Sequence, residues 1–277
     1  MTYATVMVSL ALDQPNEARL AVAGQIAETF DAALIGIVAS VFSPPLYFAD
    51  GEQAQMVIDQ EEASIKRRVA ELEAQFRQAA RNCARHIEWR SALDFPARFV
   101  LQQARSADII VSGGRSDAFS DPFATVTPRD LVMEAGRPLL VVPDSVDWLD
   151  PRSAIVAWKD TAEARRAIVA SLPMLRKAKD VAVAGIVEED GSHAAAVAGV
   201  RDVVTWLSRH GIRAAELAAA QDLDRDVFAQ LDSMAASVGA GFIVGGAYGH
   251  SRFREWILGG MTQHLITQTA RCVLLSH

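Results

Sequence analysis

Residues 240–261 have the sequence AGFIVGGAYGHSRFREWILGGM, and this stretch decides the fold class. It begins with an apolar run, Phe242–Val244, of the kind that forms a short buried strand. Glycines follow at positions 245, 246, 249, 259 and 260, and a helix-like stretch starts at Met261. Glycines in a strand-to-helix loop leave backbone N–H groups unobstructed, and the first helical turn supplies more of them. The stretch therefore predicts a loop that holds phosphates.

Apolar runs of strand length alternate with helix-like segments along the whole chain. The strand-like runs are 5–12, 33–41, 87–92, 107–112, 139–142, 154–158, 181–187, 212–217, 242–244 and 272–276. The helix-like segments are 17–30, 52–85, 96–105, 129–135, 162–176, 193–210, 224–238 and 262–270. Alternating β and α units with short buried strands predict a mostly parallel sheet with helices on both faces.

The order of elements restarts after the polar segment DSVDWLDPR at residues 144–152. Short motifs recur at the same places in both halves, which indicates an internal repeat. The matching triplets are Glu17-Ala18-Arg19 with Glu163-Ala164-Arg165, and Gly36-Ile37-Val38 with Gly185-Ile186-Val187. We therefore expect an α/β protein with two tandem, doubly wound, Rossmann-like domains, residues 1–145 and 151–277. Each domain would contain a mostly parallel five-stranded sheet.

The composition is that of a globular protein, with 51% hydrophobic and 22% charged residues. The formal net charge of −7 argues against nucleic-acid binding, because no basic stripe offsets the acidic excess. No apolar run reaches the ~18 residues of a membrane span, and no basic segment precedes the apolar N-terminus as in a signal peptide. Neither the two cysteines nor the six histidines have a metal-ligand spacing. We expect a cytoplasmic protein without a metal site or a nucleic-acid or membrane partner.

The glycine loop carries a family resemblance. Gly246 and Gly249 are followed, after nine residues, by Gly259 and Gly260, which resembles the G-2x-G-9x-G-(S/T) signature of universal stress proteins. The order of elements in each half is similar to the βαβαβαβαβ order of that family. The resemblance thus covers nearly the whole chain, as a tandem of two such units.

The resemblance implies that the second half binds ATP or a related adenine nucleotide, with Mg²⁺ as an optional companion. The base would lie near the ends of the first two strands of that half, and the phosphates would lie at the glycine loop. The residues implied at the base and ribose are Ala157, Trp158, Lys159, Asp160 and Val187. Those implied around the phosphates are Gly246, Gly249, Gly259, Gly260 and Met261. Further candidates for the site are Thr262 and the loop residues His250, Ser251 and Arg252, for which a solvated loop is the alternative.

The second half departs from the family pattern at two positions. Gly260 stands where the family usually has Ser or Thr, so that a hydroxyl contact is lost while the backbone N–H remains. Lys159 stands where the family usually has Asp, with Asp160 next to it. Trp158 has two interpretations at this stage, since it could stack on adenine or belong to the core.

The first half keeps the glycine pair Gly113-Gly114 at the end of its fourth strand but lacks the other motif glycines. Ser116 replaces the second glycine, and Asp117 and Asp121 lie in the loop. Carboxylates at this place would repel phosphates. We therefore predict that the first half does not bind a nucleotide in the family's way.

Universal stress protein domains dimerise through their last strands, so the resemblance implies that Leu139–Val142 and Cys272–Ser276 pair within this chain as a pseudo-dimer. A homodimer and an unidentified protein partner are further expectations. Three functions stay open: a nucleotide-binding signalling or stress-response module, a slow ATPase, and a ligand-free interaction module. In the ATPase, Lys159 or Arg252 would stabilise developing phosphate charge. No catalytic residue is predicted, because no orienting acid accompanies the adjacent His250 and Ser251.

Overall fold

The computed structural model describes residues 2–42, 51–114, 121–187, 193–220, 227–247, 260–267 and 270–277. Strands and helices alternate through both halves of the chain. The strands are β1 (Thr5–Ser9), β2 (Ala33–Ala39), β3 (Ile87–Ala92), β4 (Ile109–Gly113), β5 (Leu139–Val142), β6 (Ser153–Trp158), β7 (Asp180–Val187), β8 (Ala214–Ala220), β9 (Phe242–Gly246) and β10 (Cys272–Ser276). The helices are α1 (Glu17–Phe30), α2 (Gly51–Ala80), α3 (Pro96–Gln103), α4 (Pro128–Glu134), α5 (Ala162–Leu175), α6 (His193–Arg209), α7 (Val227–Ser237) and α8 (Gly260–Thr267).

All ten strands belong to one sheet, in the order β3-β2-β1-β4-β5-β10-β9-β6-β7-β8. Neighbouring strands are parallel within each half, and only the pair β5 and β10 is antiparallel. Leu140 lies opposite Leu274 in that central pair. The predicted fold class is confirmed, and the pairing of the two last strands is present. The two five-stranded sheets are therefore continuous with each other.

Successive side chains of a strand point to opposite faces of the sheet, so each face carries its own apolar cluster. Helices cover both of these faces. In β1, Val6 and Val8 face one apolar cluster and Met7 faces the other. The first cluster includes side chains of α1, α2, α5 and α6, and the second includes side chains of α3, α4, α7 and α8. Equivalent helices of the two halves thus lie on the same face.

Several strand boundaries differ from the sequence-based expectation by one to three residues, and those of β1 and β8 differ most. β1 ends at Ser9 rather than at residue 12. Beyond Ser9, the side chain of Asn16 forms hydrogen bonds with the backbone of Ala11. Asn16 Oδ1 accepts a hydrogen bond from the N–H of Ala11 at 3.1 Å, and its Nδ2 donates to the carbonyl of Ala11 at 2.8 Å. These bonds use backbone groups that a longer strand would need. β8 begins at Ala214 rather than at residue 212 and extends to Ala220.

Helix α2 has 30 residues, about 45 Å at 1.5 Å per residue, and is longer than any other described helix. Its second half packs into the first apolar cluster through Leu72, Phe76 and Ala80. Among the described side chains of residues 51–64, none is buried. Within the parts of the chain that the structure describes, no helix combines the length and apolarity that crossing a membrane requires.

Candidate functional site

The topology defines one crevice in each half. In the first half, β1 lies between β2 and β4, so the strand order reverses direction at β1. In the second half, β6 lies between β7 and β9 in the same way. Ligands of open α/β sheets bind at such switch points, beyond the carboxyl ends of the strands. The predicted residues at the ends of β6 and β9 lie at the switch point of the second half.

Gly246, the last residue of β9, lies directly against the first turn of α5. A Cβ atom at this position would be 2.5 Å from the backbone nitrogen of Ala164, which is far closer than packing allows. Thr161 caps the helix, and its hydroxyl oxygen accepts a hydrogen bond from the N–H of Ala164 at 3.3 Å. The absence of a side chain at Gly246 therefore lets the N-terminus of α5 approach the switch point.

Helix α8 approaches the same strand ends from the other face. A Cβ atom on Gly245 would be 3.7 Å from Leu265 of α8 and 3.9 Å from the Cβ atom of Ala157. Thr262, in the first turn of α8, is buried, and Met261 is half-buried against the second apolar cluster. The structure thus brings α8, through Leu265 in its second turn, to the ends of β6 and β9.

The predicted base-binding residues lie at the ends of β6 and β7. Trp158 is half-buried and packs against the first apolar cluster. Its Nε1 atom is 3.2 Å from the position that a Cβ atom of Gly199 in α6 would take, so the indole lies against that helix. This contact gives Trp158 a packing role at the strand end. Val187 ends β7, and its side chain lies outside the description.

Lys159 and Asp160 follow β6 directly and are both exposed. The carboxylate of Asp160 pairs with Arg165 of α5 at 2.5 Å. Both partners of this pair are well exposed, so it contributes little to stability. Of the remaining predicted residues, Gly260 opens α8. The others, Gly249, His250, Ser251, Arg252 and Gly259, lie outside the described residues.

Glu163 is a residue of this edge that the sequence analysis missed. It is 4% exposed in the first turn of α5 and accepts a hydrogen bond from Arg166 at 3.2 Å. Burial alone would raise its pKa, but hydrogen bonds from its own backbone and from Thr161, with the charges of Arg166 and His277, hold the pKa of Glu163 below its ordinary value. An acidic residue just after a threonine cap was the available signal. The second-half edge thus contains a buried carboxylate.

The crevice of the first half contains an arginine side chain. Arg19 of α1 is 3% exposed, and its guanidinium lies against Gly113, the last residue of β4. A Cβ atom on Gly113 would be 2.2 Å from Nη2 of Arg19. Of the two loop carboxylates expected here, Asp121 is exposed and accepts a hydrogen bond from the N–H of Phe123, while Asp117 lies outside the described residues.

A cavity of about 400 Å³ lies at the opposite edge of the first half. Thr5, Ala33 and Ile87, which begin β1, β2 and β3, line it together with Arg90. Arg90 is engaged there by Glu88, Gln103 and Ser106. The cavity is therefore at the amino ends of the strands and is distinct from both switch points. Within the described ranges, no group of three or more His, Cys, Asp or Glu side chains is placed to hold a metal ion.

Comparison with known proteins identifies the fold. The sequence matches no protein-family model and no curated protein. A universal stress protein from Archaeoglobus fulgidus DSM 4304 is similar in structure, with a TM-score of 0.64 at 14% identity, over 99% of this chain and 98% of that one. A putative universal stress protein from Pseudomonas aeruginosa UCBPP-PA14 gives 0.56 at 14% identity, over 99% and 93%.

The cytoplasmic domain of a prokaryotic cation chloride cotransporter is also similar, with a TM-score of 0.52 at 8% identity, over 98% of this chain and 94% of that domain. The same architecture therefore occurs in proteins with different roles, and function has to be argued from the site. The fold itself is established over the whole length of the chain. The chain has the fold of universal stress proteins, with two copies of the five-stranded unit in one polypeptide.

Proposed function

We propose that this chain is a cytoplasmic universal-stress-like protein whose second half binds ATP or a related adenine nucleotide as a signalling or stress-response module. The observation that carries the proposal is the position of the glycine motif. Gly246 ends β9 at the switch point, and Gly260 begins α8, the helix whose Leu265 lies beside Gly245. The two described ends of the motif therefore belong to elements that meet at the edge where open α/β sheets bind ligands.

Two helix N-termini support phosphate binding at this edge. The 14 residues of α5 begin against Gly246, and α8 begins directly after the motif. Unpaired N–H groups and the positive end of the helix dipole favour anions at such positions. We propose that the motif glycines, with Met261 and Thr262, surround the phosphates, and that Ala157 and Val187 lie near the base.

The carboxylates of this edge favour a role for Mg²⁺. Glu163 is buried beside Gly246, and Asp160 follows β6. Fixed negative charge near the crevice opposes a free triphosphate more than a monophosphate or a cyclic nucleotide. We propose that ATP binds as its magnesium complex, and that AMP and cyclic nucleotides are bound independently of Mg²⁺.

The first half is proposed to be a structural partner without a nucleotide. We assign the repeat units to residues 1–145 and 151–277, joined by the segment between them and by the pairing of β5 with β10. Arg19 supports this assignment, because it is buried at the switch point of the first half. A homodimer or a protein partner would be additional to this intrachain pseudo-dimer.

Mass spectrometry of the denatured, freshly purified protein tests the proposal. We expect an adenine nucleotide to be released, and we expect ATP with Mg²⁺ to raise the melting temperature of nucleotide-free protein. Recovery of the nucleotide as ADP after hours of incubation with ATP would instead indicate a slow ATPase. Absence of any nucleotide, together with no thermal shift, would refute the proposal and favour a ligand-free interaction module.

A further inference from the structure

Arg19 and Arg165 occupy the same place in the repeat but lie in different surroundings. Val8 pairs with Val111, and Val156 pairs with Val244, so the two strand-end glycines, two residues further on, are equivalent. Arg165 points outward, with 60% of its side chain exposed, whereas Arg19 is 3% exposed. Of these two equivalent arginines, Arg19 places its guanidinium at a switch point and Arg165 does not.

The loop before α1 is built to receive this guanidinium. Arg19 Nη1 donates to the carbonyl of Ser9, at the end of β1, at 3.2 Å, and Nη2 donates to Oε1 of Gln14 at 3.0 Å. Asn16 is 7% exposed and fixes the same loop through both backbone groups of Ala11. Asn16 Nδ2 also donates to the carbonyl of Gln14 at 3.0 Å, so the backbone that carries this acceptor is held by the same side chain.

The loops before α1 and α5 differ in length. Seven residues separate Ser9 from Glu17, whereas five separate the equivalent Ala157 from Glu163. Each loop supplies an acceptor five residues before its arginine, Gln14 for Arg19 and Asp160 for Arg165. Only Arg19 of the two is also bonded to the end of the first strand of its half, through the carbonyl of Ser9.

The charges around the crevice are complementary to a cation. Burial lowers the pKa of Arg19 to about 10, and the nearby carboxylates of Asp144, Asp13 and Glu17 oppose that effect. Arginine is still a cation at neutral pH, so the crevice holds a buried positive charge among three negative ones. The same three carboxylates would repel an anionic phosphate.

We propose that the guanidinium of Arg19 fills the ligand crevice of the first half and takes the place of a bound small molecule. The crevice recognises a planar cation, through the carbonyl of Ser9, the amide oxygen of Gln14 and the flat surface of Gly113. The first half is complete without a ligand. The inference does not depend on nucleotide binding by the second half.

The test replaces Arg19 by alanine in the full chain and adds the missing group back as methylguanidinium. We expect R19A to lose about 5–10 °C in melting temperature, because Ser9 and Gln14 lose a buried partner. Methylguanidinium chloride should raise the melting temperature of R19A in a saturable way, and methylammonium chloride at the same ionic strength should not. R165A is the matched control, and it should behave as the wild type with both salts.

A melting temperature of R19A equal to that of R165A would overturn the proposal, and so would equal effects of the two cations. Phenylglyoxal labelling of the wild-type protein provides a test if R19A does not fold. Arg19 should react at least about 10-fold more slowly than Arg165, since the reagent needs an exposed guanidinium. G113A, which directs a methyl group at Nη2, should accelerate the labelling of Arg19. Equal rates at Arg19 and Arg165 in the wild type would refute the occupancy.

Discussion

The side-chain amide of Gln25 forms two buried hydrogen bonds with the backbone of Leu149. Nε2 donates to the carbonyl of Leu149 at 2.6 Å, and the N–H of Leu149 donates to Oε1 at 2.9 Å. The pair joins α1 to the segment between the two repeats, across 124 positions of sequence. A single amide thus fixes the path of the linker on the first face of the sheet.

Gln25→Ala should therefore destabilise the whole chain. The change leaves both backbone groups of Leu149 buried without their partner, which costs about 2–4 kcal/mol in the free energy of unfolding. Urea denaturation measures this loss. Gln78→Ala, at an exposed position of α2, is the control and should change the free energy by less than ~0.5 kcal/mol. A variant as stable as the control would show that the linker is held by other contacts.

The repeated glycines Gly36 and Gly185 each accept a side chain from the helix that follows. A Cβ atom on Gly36 would be 2.8 Å from the ring of Phe76, and one on Gly185 would be 2.7 Å from Val200. Gly36→Ala should destabilise the protein by about 1–3 kcal/mol, because the core has no room for the methyl group. Phe76→Leu in the same chain should reduce that penalty, as a double-mutant cycle of unfolding free energies would show. Additive effects of the two changes would contradict the contact.

Ionisation of Glu163 should make the free energy of unfolding depend on pH. Its pKa in the folded protein is below the ordinary value of 4.5, so its ionised form stabilises the fold above that pH, and the contribution disappears as the pH falls through the folded pKa. The difference in unfolding free energy between wild type and Glu163→Gln should therefore shrink below pH 4.5. Denaturation series at several pH values measure it, with Glu61→Gln on α2 as the control for one lost charge. A difference that grows in acid would contradict the assignment.

The second half alone should self-associate. Residues 151–277 would leave β10 at the edge of a five-stranded sheet, without the pairing of Leu274 with Leu140. Unpaired apolar edges recruit another strand, and a second β10 is the nearest equivalent. Sedimentation velocity should show a concentration-dependent dimer for this fragment. A fragment that stays monomeric at ~100 μM would indicate that the β5–β10 contact contributes little.

The sequence predicted the architecture because the repeat marks equivalent positions. The segments Leu139–Val142 and Cys272–Ser276 were expected to pair, and Leu140 and Leu274 lie opposite each other in the central pair. Gly36 and Gly185 were aligned as well, and the structure shows that both make room for a helix side chain. Such features depend on local pattern, which a single sequence records.

The different burial of Arg19 and Arg165 could not be predicted from the repeat. The triplet Glu-Ala-Arg is identical in both halves, yet one guanidinium is buried and the other is exposed. The difference arises from the conformation of the preceding loop, which depends on long-range acceptors such as Ser9. Glu163 was missed for a similar reason, since its burial is a property of the folded chain.

The stoichiometry of nucleotide binding tests the central claim most directly. Titration calorimetry of the nucleotide-free chain with magnesium ATP and with AMP should give one site per chain. Gly249→Val should weaken binding at least about 10-fold, which is ~1.4 kcal/mol, whereas Ser116→Val at the equivalent position of the first half should leave the affinity unchanged. Two sites per chain, or equal effects of the two substitutions, would contradict a single site in the second half.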